Sequence, residues 1–142
     1  MRIFLDTNIL VKSYLVWIWN NKSLDHSLLR DFWSIHEFII SDFVFLELKN
    51  VLPRYIANFD ETTIIEFIMY LWLQIFESSP KNEKLLSYVS DEFDLQILCD
   101  VIYYKAILLV TENSKDFHKD KIAQDFGILI YTTIELIQYL KQ

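Results

Sequence analysis

Arg2-Ile3-Phe4-Leu5-Asp6-Thr7-Asn8 opens the chain, and Leu109-Val110-Thr111-Glu112-Asn113-Ser114-Lys115-Asp116-Phe117 answers it far downstream. Each is a short apolar run that breaks abruptly into acidic, hydroxyl and amide residues. An uninterrupted apolar run of this length suits a strand buried on both faces, as in a parallel sheet, and the carboxyl edge of such a sheet is where open α/β folds bind ligands. Two runs ending this way side by side concentrate carboxylates at one edge.

Between them, strand and helix signals alternate. Asn8 to about Trp19 is densely apolar and reads as a helix packed on both sides. Asn20-Asn21-Lys22-Ser23 is a polar break, and Leu24 to about Ile35 reads as a further helix. Phe38-Ile39-Ile40 is a second buried strand, closed by Ser41-Asp42 as a helix cap, and Pro53 ends or bends the helix that follows. Asp60-Glu61-Thr62-Thr63 starts a helix expected to reach about Phe76, and Glu77-Ser78-Ser79-Pro80-Lys81-Asn82 is a loop. Asp91-Glu92-Phe93-Asp94 initiates a helix from Leu95 to about Tyr104, and Ile107 to Thr111 is the third core strand. Ile128 to Tyr131 and Thr133 to Leu140 give a last strand and a closing helix. The order implies an α/β fold: a parallel sheet flanked by α-helices on both faces, with residues 1–142 as a single domain.

Composition narrows the function. An apolar share of 53% in 142 residues supports one sizeable core, while one Gly and two Pro exclude low-complexity linkers. The start lacks the apolar length and cleavage site of a signal peptide, and no apolar segment approaches the roughly 18 residues of a membrane-spanning helix. The lone Cys99, set in Ile97-Leu98-Cys99, reads as a core residue in a reducing compartment, so a cytoplasmic location is expected. The net charge of -7 argues against simple nonspecific binding to a phosphate backbone and suits a basic protein partner.

Four acids carry the chemistry. Asp6, at the end of the first strand, has a structural reading as a helix cap and a functional one as a metal ligand, with Thr7 and Asn8 holding a coordinated water or the carboxylate itself. Glu47, between Leu46 and Leu48, is either at the solvent edge of its helix or buried beside a counter-charge. In Asp91-Glu92-Phe93-Asp94, capping accounts for the first two acids and leaves Asp94 to look inward, whereas Asp100 is assigned to a solvated face. Asp116 is either a turn residue or a ligand, with Thr111 and Asn113 supporting it and Lys115 touching phosphate. Carboxylates converging on one crevice need divalent cations between them, and all-oxygen ligation suits Mg2+ or Mn2+. His26, His36 and His118 are scattered without zinc-ligand spacing and read as surface residues.

The order and spacing of Asp6-Thr7-Asn8, the Glu47 helix, Asp91-x-x-Asp94-Leu95-x-Ile97-Leu98 and Val110-Thr111-x-Asn113 with Asp116-Phe117 resemble the PIN domain over essentially the whole chain. The resemblance implies a metal-dependent endoribonuclease using Mg2+ or Mn2+, with Asp6, Glu47 and Asp94 as the acidic triad and either Asp116 or Asn113 in the fourth position. It also implies a homodimer, an RNA substrate and, for many members, the role of a toxin neutralised by an antitoxin encoded beside it. Tyr14-Leu15-Val16-Trp17-Ile18-Trp19, with Trp33 and Trp72, is expected in the core, the alternative being a dimer or antitoxin surface. Two other functions compete: a PIN-like module that binds RNA or protein without cutting, and an Asp-based phosphotransferase or receiver-like domain. A haloacid dehalogenase-type strand carries a second Asp two residues after the first, where this chain has Asn8.

Overall fold

A computed structural model describes residues 1–22 and 36–141. The helix expected over Leu24 to Ile35, with His26 and Trp33, lies outside the described residues. Five strands form one parallel sheet in the order β3-β2-β1-β4-β5: β1 Arg2–Leu5, β2 Glu37–Ser41, β3 Gln74–Phe76, β4 Leu108–Val110 and β5 Leu129–Tyr131. Helices α1 Thr7–Trp19, α2 Asp42–Val51, α3 Glu61–Tyr70, α4 Leu95–Tyr103, α5 Lys119–Phe126 and α6 Thr133–Leu140 cover both faces.

The central strands are buried on both faces, which is why they read as continuous apolar runs rather than alternating ones. Ile3, Phe4, Ile39, Ile40, Leu108 and Leu109 are fully buried. Ile3 pairs with Phe38 on one side and Leu108 on the other, so β1, β2 and β4 end level with one another. The ladder runs one residue past the strands: Asp6 N–H donates to Val110 O at 3.0 Å and Thr111 N–H to Tyr131 O at 2.9 Å. From β1 the chain builds outward through β2 and β3, then returns to lay β4 on the other flank of β1. The order therefore reverses between β1 and β4, and a crevice opens at their carboxyl ends. Asp6 and Thr111 are the first residues beyond those ends.

Three sequence expectations need correction. The helix from Glu61 stops at Tyr70 rather than near Phe76, because Trp72 adopts a left-handed φ of 57° and turns the chain into the edge strand β3. Trp72 is 83% exposed and Trp19 70%, so only Tyr14 and Trp17 of the aromatic stretch lie in the core, against Phe67 of α3. Between Phe117 and Ile128, where the sequence pattern marks no element, α5 forms and ends at Gly127, whose φ of 69° suits a left-handed cap. Cys99 is buried, as expected, and His118 is exposed.

Candidate metal centre at the carboxyl edge of the sheet

Asp6 leaves β1 in extended conformation and caps α1, its Oδ1 accepting from Thr7 N–H at 2.7 Å. Its other oxygen accepts from the Thr111 hydroxyl at 2.8 Å, a bond from the end of β4 to the end of β1. The capping and functional readings of Asp6 are thus compatible, since one carboxylate fixes the helix start and stands at the switch point. Only 7% of Asp6 is exposed, and burial pushes its carboxyl above the usual range, helped by the charge of Asp116 and opposed by the bonds from Thr111 and Thr7.

Asn8 and Thr111 tie the start of α1 to the turn after β4. Asn8 Oδ1 accepts from Glu112 N–H at 3.1 Å while its Nδ2 donates to Thr111 Oγ1 at 3.2 Å, and Asn113 N–H donates to the same hydroxyl at 3.2 Å. One turn of α1 therefore holds the turn after β4 in place. Glu47 comes from the middle of α2, where Ser41 Oγ caps the helix by accepting from Val44 N–H. Glu47 Oε1 accepts from the Thr7 hydroxyl at 2.9 Å. It is half-buried, and burial with the charge of Asp6 raises its carboxyl against that hydrogen bond.

Asp94 ends a single 3-10 turn and precedes α4, but its carboxylate caps nothing; Asp91 does that work, accepting from Phe93 N–H at 3.0 Å. Burial first, and then the charges of Asp6, Asp116, Asp91 and Glu47, together lift the Asp94 carboxyl to about 7. Asp94 is thus within electrostatic reach of Asp6, Glu47 and Asp116, although the four acids come from four separate segments. Among the described residues the ion pairs are Arg2–Glu37, Lys22–Glu66 and Lys49–Glu61, and none involves these acids. Nor do any three Asp, Glu, His or Cys side chains among the described residues stand close enough to hold one ion as they are oriented. Long-range repulsion is felt, but the donors have not closed on a common point.

The resemblance leaves the fourth position to Asp116 or Asn113. Asp116 is half-buried on a 3-10 turn, Ser114–Asp116, and its charge acts on both Asp6 and Asp94. Asn113 is exposed and contributes its backbone to the turn, and Lys115 is exposed. Asp100 corrects an expectation: far from a solvated face, it is 0% exposed, and its Oδ1 accepts from Ser79 N–H at 2.7 Å, Ser79 Oγ at 2.8 Å and Gln96 Nε2 at 2.9 Å. It anchors the 77–82 loop on α4 and stands apart from the crevice acids. No local signal marks this role, because Ser79 lies 21 residues away.

The fold has a solved counterpart. VapBC2 from Rickettsia felis, determined bound to a DNA fragment from their promoter, is similar at a TM-score of 0.62 over 93% of this chain and 98% of that one, with 22% identity. The chain has the PIN-domain fold. A looser likeness, TM-score 0.47 at 16% identity, links 99% of it to 90% of PAE2754 from Pyrobaculum aerophilum. No protein-family model and no curated protein matches the sequence. At this identity the likeness establishes the PIN fold, whereas the chemistry must be argued from the side chains. Among the described residues no helix is long and apolar enough to cross a membrane.

Proposed function

We propose that the chain is a metal-dependent endoribonuclease that hydrolyses RNA phosphodiester bonds, and that it serves as the toxin of a toxin–antitoxin pair. What supports the nuclease reading is electrostatic: the charges of Asp6, Glu47 and Asp116 all act on Asp94, Asp116 acts on Asp6 and Asp6 on Glu47, and no ion pair among the described residues involves these acids. Four oxygen-donor carboxylates fit Mg2+ or Mn2+, and their residual repulsion is what a divalent ion relieves. Asp6, Glu47, Asp94 and Asp116 would hold it. Bound there, it would supply a water of lowered pKa and positive charge to stabilise the negative charge developing on the phosphate.

The surrounding residues aim the donors. The hydroxyls of Thr7 and Thr111 each donate to one carboxylate, Glu47 and Asp6 respectively, which fixes the lone pairs left for a cation. Asn8 locks the turn of Thr111 and Asn113 to α1, so the two strand ends stay in register. The toxin half of the reading is supported by the likeness to VapBC2, and a protein of net charge -7 suits a basic antitoxin. A homodimer working in the cytoplasm completes the proposal.

A second reading has one observation in its favour: no three acids among the described residues stand within reach of a single ion as oriented, which suits a module that binds RNA or protein without cutting it. Incubating an end-labelled single-stranded RNA with the native chain and Asp6→Asn, in Mg2+ and in Mn2+, separates the two. Nuclease function predicts metal-dependent cleavage that EDTA stops and Asp6→Asn lacks. Intact RNA throughout supports the binding module, and cleavage by Asp6→Asn at the native rate contradicts the assignment of Asp6.

A further inference from the structure

Two segments meet around a cavity of about 430 Å³ that contains none of the crevice acids, lined by Ser87 from one segment and by His118, Lys119, Asp120 and Lys121 from the other. Both walls are held in place. His118 N–H donates to Tyr88 O at 2.9 Å, Val89 and Phe117 form an antiparallel bridge, and the Tyr88 hydroxyl donates to Asp125 Oδ2 at 2.6 Å. That last bond changes what Lys121 does. Asp125 lies four residues on in α5, the spacing of a helical ion pair, but its carboxylate accepts from Tyr88, and the Lys121 ammonium stands over the Tyr88 ring instead, 4.4 Å from its centre. Neither Lys119 nor Lys121 enters an ion pair among the described residues.

In a chain of net charge -7 this concentration of cations is an exception: Lys115, Lys119 and Lys121 fall within residues 115–121, with His118 among them. Two ammonium groups, an imidazole and a hydroxyl around one cavity are matched to an oxyanion, since charge-assisted bonds to its oxygens are stronger than neutral ones. Asp120 narrows the choice. A phosphodiester has no hydrogen to give a carboxylate, whereas a phosphate monoester loses its second proton at about pH 6, so near neutrality it carries close to two charges for the lysines and in part keeps a hydrogen to donate. We propose that this cavity binds a phosphate monoester, carried by a free nucleotide or by the end of an RNA strand, with Lys119, Lys121, His118 and Ser87 on its oxygens and Asp120 accepting from the oxygen that keeps its hydrogen. The site stands whether or not the crevice acids cut RNA.

The test uses the native full chain in EDTA, so that no cation in the crevice draws phosphate and no RNA is cut. Adenosine 5′-monophosphate and, separately, adenosine are titrated into the protein while its backbone amide resonances are followed by NMR. The monophosphate should shift Ser87 and residues 118–121 saturably, and adenosine should not. Lys119→Ala and Lys121→Ala should each weaken the binding about tenfold, as expected for a charge-assisted bond. Lys105→Ala, which removes the same charge before the start of β4, should leave it unchanged. A short single-stranded RNA then separates the two sources: displacement of the monophosphate by the 5′-phosphorylated strand alone assigns the cavity to a strand end, and displacement by neither strand assigns it to a free nucleotide. Displacement by the 5′-hydroxyl strand as well would overturn the proposal by making the cavity part of a general polyanion surface. A loss from Lys105→Ala equal to that from Lys121→Ala, or no saturable shift at Ser87 and residues 118–121, would overturn it too.

Discussion

Replacing Asp94 by Asn removes one charge from the crevice without changing the shape of the side chain, and the consequence has a sign that depends on pH. The Asp94 carboxyl is lifted from 3.8 to about 7 by burial and then by four neighbouring carboxylates. A group that holds its proton more tightly when folded than when unfolded lowers stability as pH rises between those two values, and above about 7 the whole cost is present. At about 1.4 kcal/mol per tenfold change in proton affinity the upper limit is about 4 kcal/mol, but Asp94 is only half-buried and solvent screens it, leaving about 1–2 kcal/mol. In the metal-free protein at pH 8, Asp94→Asn should therefore melt about 3–10 °C above the native chain. The gap should close as pH falls toward 4, where the native carboxyl is protonated in the folded state. Saturating Mn2+ should reverse the order at pH 8, since a cation held only by the folded protein adds about 2.7 kcal/mol at a hundred times its Kd and Asp94→Asn lacks the donor. Scanning calorimetry at pH 5 and 8, with EDTA and with Mn2+, measures all four states. A difference between the two chains that ignores pH, or Mn2+ that stabilises both equally, would refute the reasoning.

Other residues respond in distinguishable ways. Asp6→Asn should keep or raise the melting temperature of the metal-free protein because it retains a capping oxygen and removes repulsion, whereas Asp6→Ala should cost about 1 kcal/mol; a loss for Asp6→Asn as large as for Asp6→Ala would contradict both the cap and the relief of repulsion. Thr111→Val deletes the hydroxyl that donates to Asp6 and accepts from Asn8 and Asn113, so urea titration should show a loss of about 1–3 kcal/mol. The same change should weaken Mn2+ about tenfold, and native affinity would remove Thr111 from the site. Asp100→Ala strands the buried amide and hydroxyl of Ser79 and should cost about 2–5 kcal/mol while Mn2+ affinity holds; weakened Mn2+ binding would join Asp100 to the crevice.

The strands that build the crevice are legible because burial on both faces leaves them no polar residues: Ile3-Phe4-Leu5, Phe38-Ile39-Ile40 and Leu108-Leu109-Val110 can hardly be anything else in a chain of alternating elements. The caps are legible for a similar reason, since Ser41, Asp60 and Asp91 each accept a backbone N–H within the next three residues. Edge elements are harder. Gln74–Phe76 has three residues, two of them exposed, and follows an apolar helix without a glycine to mark the break, because Trp72 itself takes the left-handed turn. Lys119–Phe126 buries only Ile122 and is polar on average, so it lacks the apolar density by which the other helices are recognised, although Gly127 stands at its end. At the site, Asp6 ends the first strand as its local pattern predicts, but the hydroxyl that holds Glu47, the charge of Asp116 on Asp94 and the burial of Asp100 all depend on partners distant in sequence.

The central claim is that carboxylates from four separate segments act as one divalent-cation site. Titrating Mn2+ calorimetrically into the metal-free native chain and into the double variant Asp6→Asn, Asp94→Asn at pH 7.5 addresses it without reference to any substrate. A shared site predicts a saturable heat for the native chain, accompanied by proton release from Asp94 in proportion to buffer ionisation enthalpy, and no saturable heat for the double variant. Identical heats for the two proteins would contradict it.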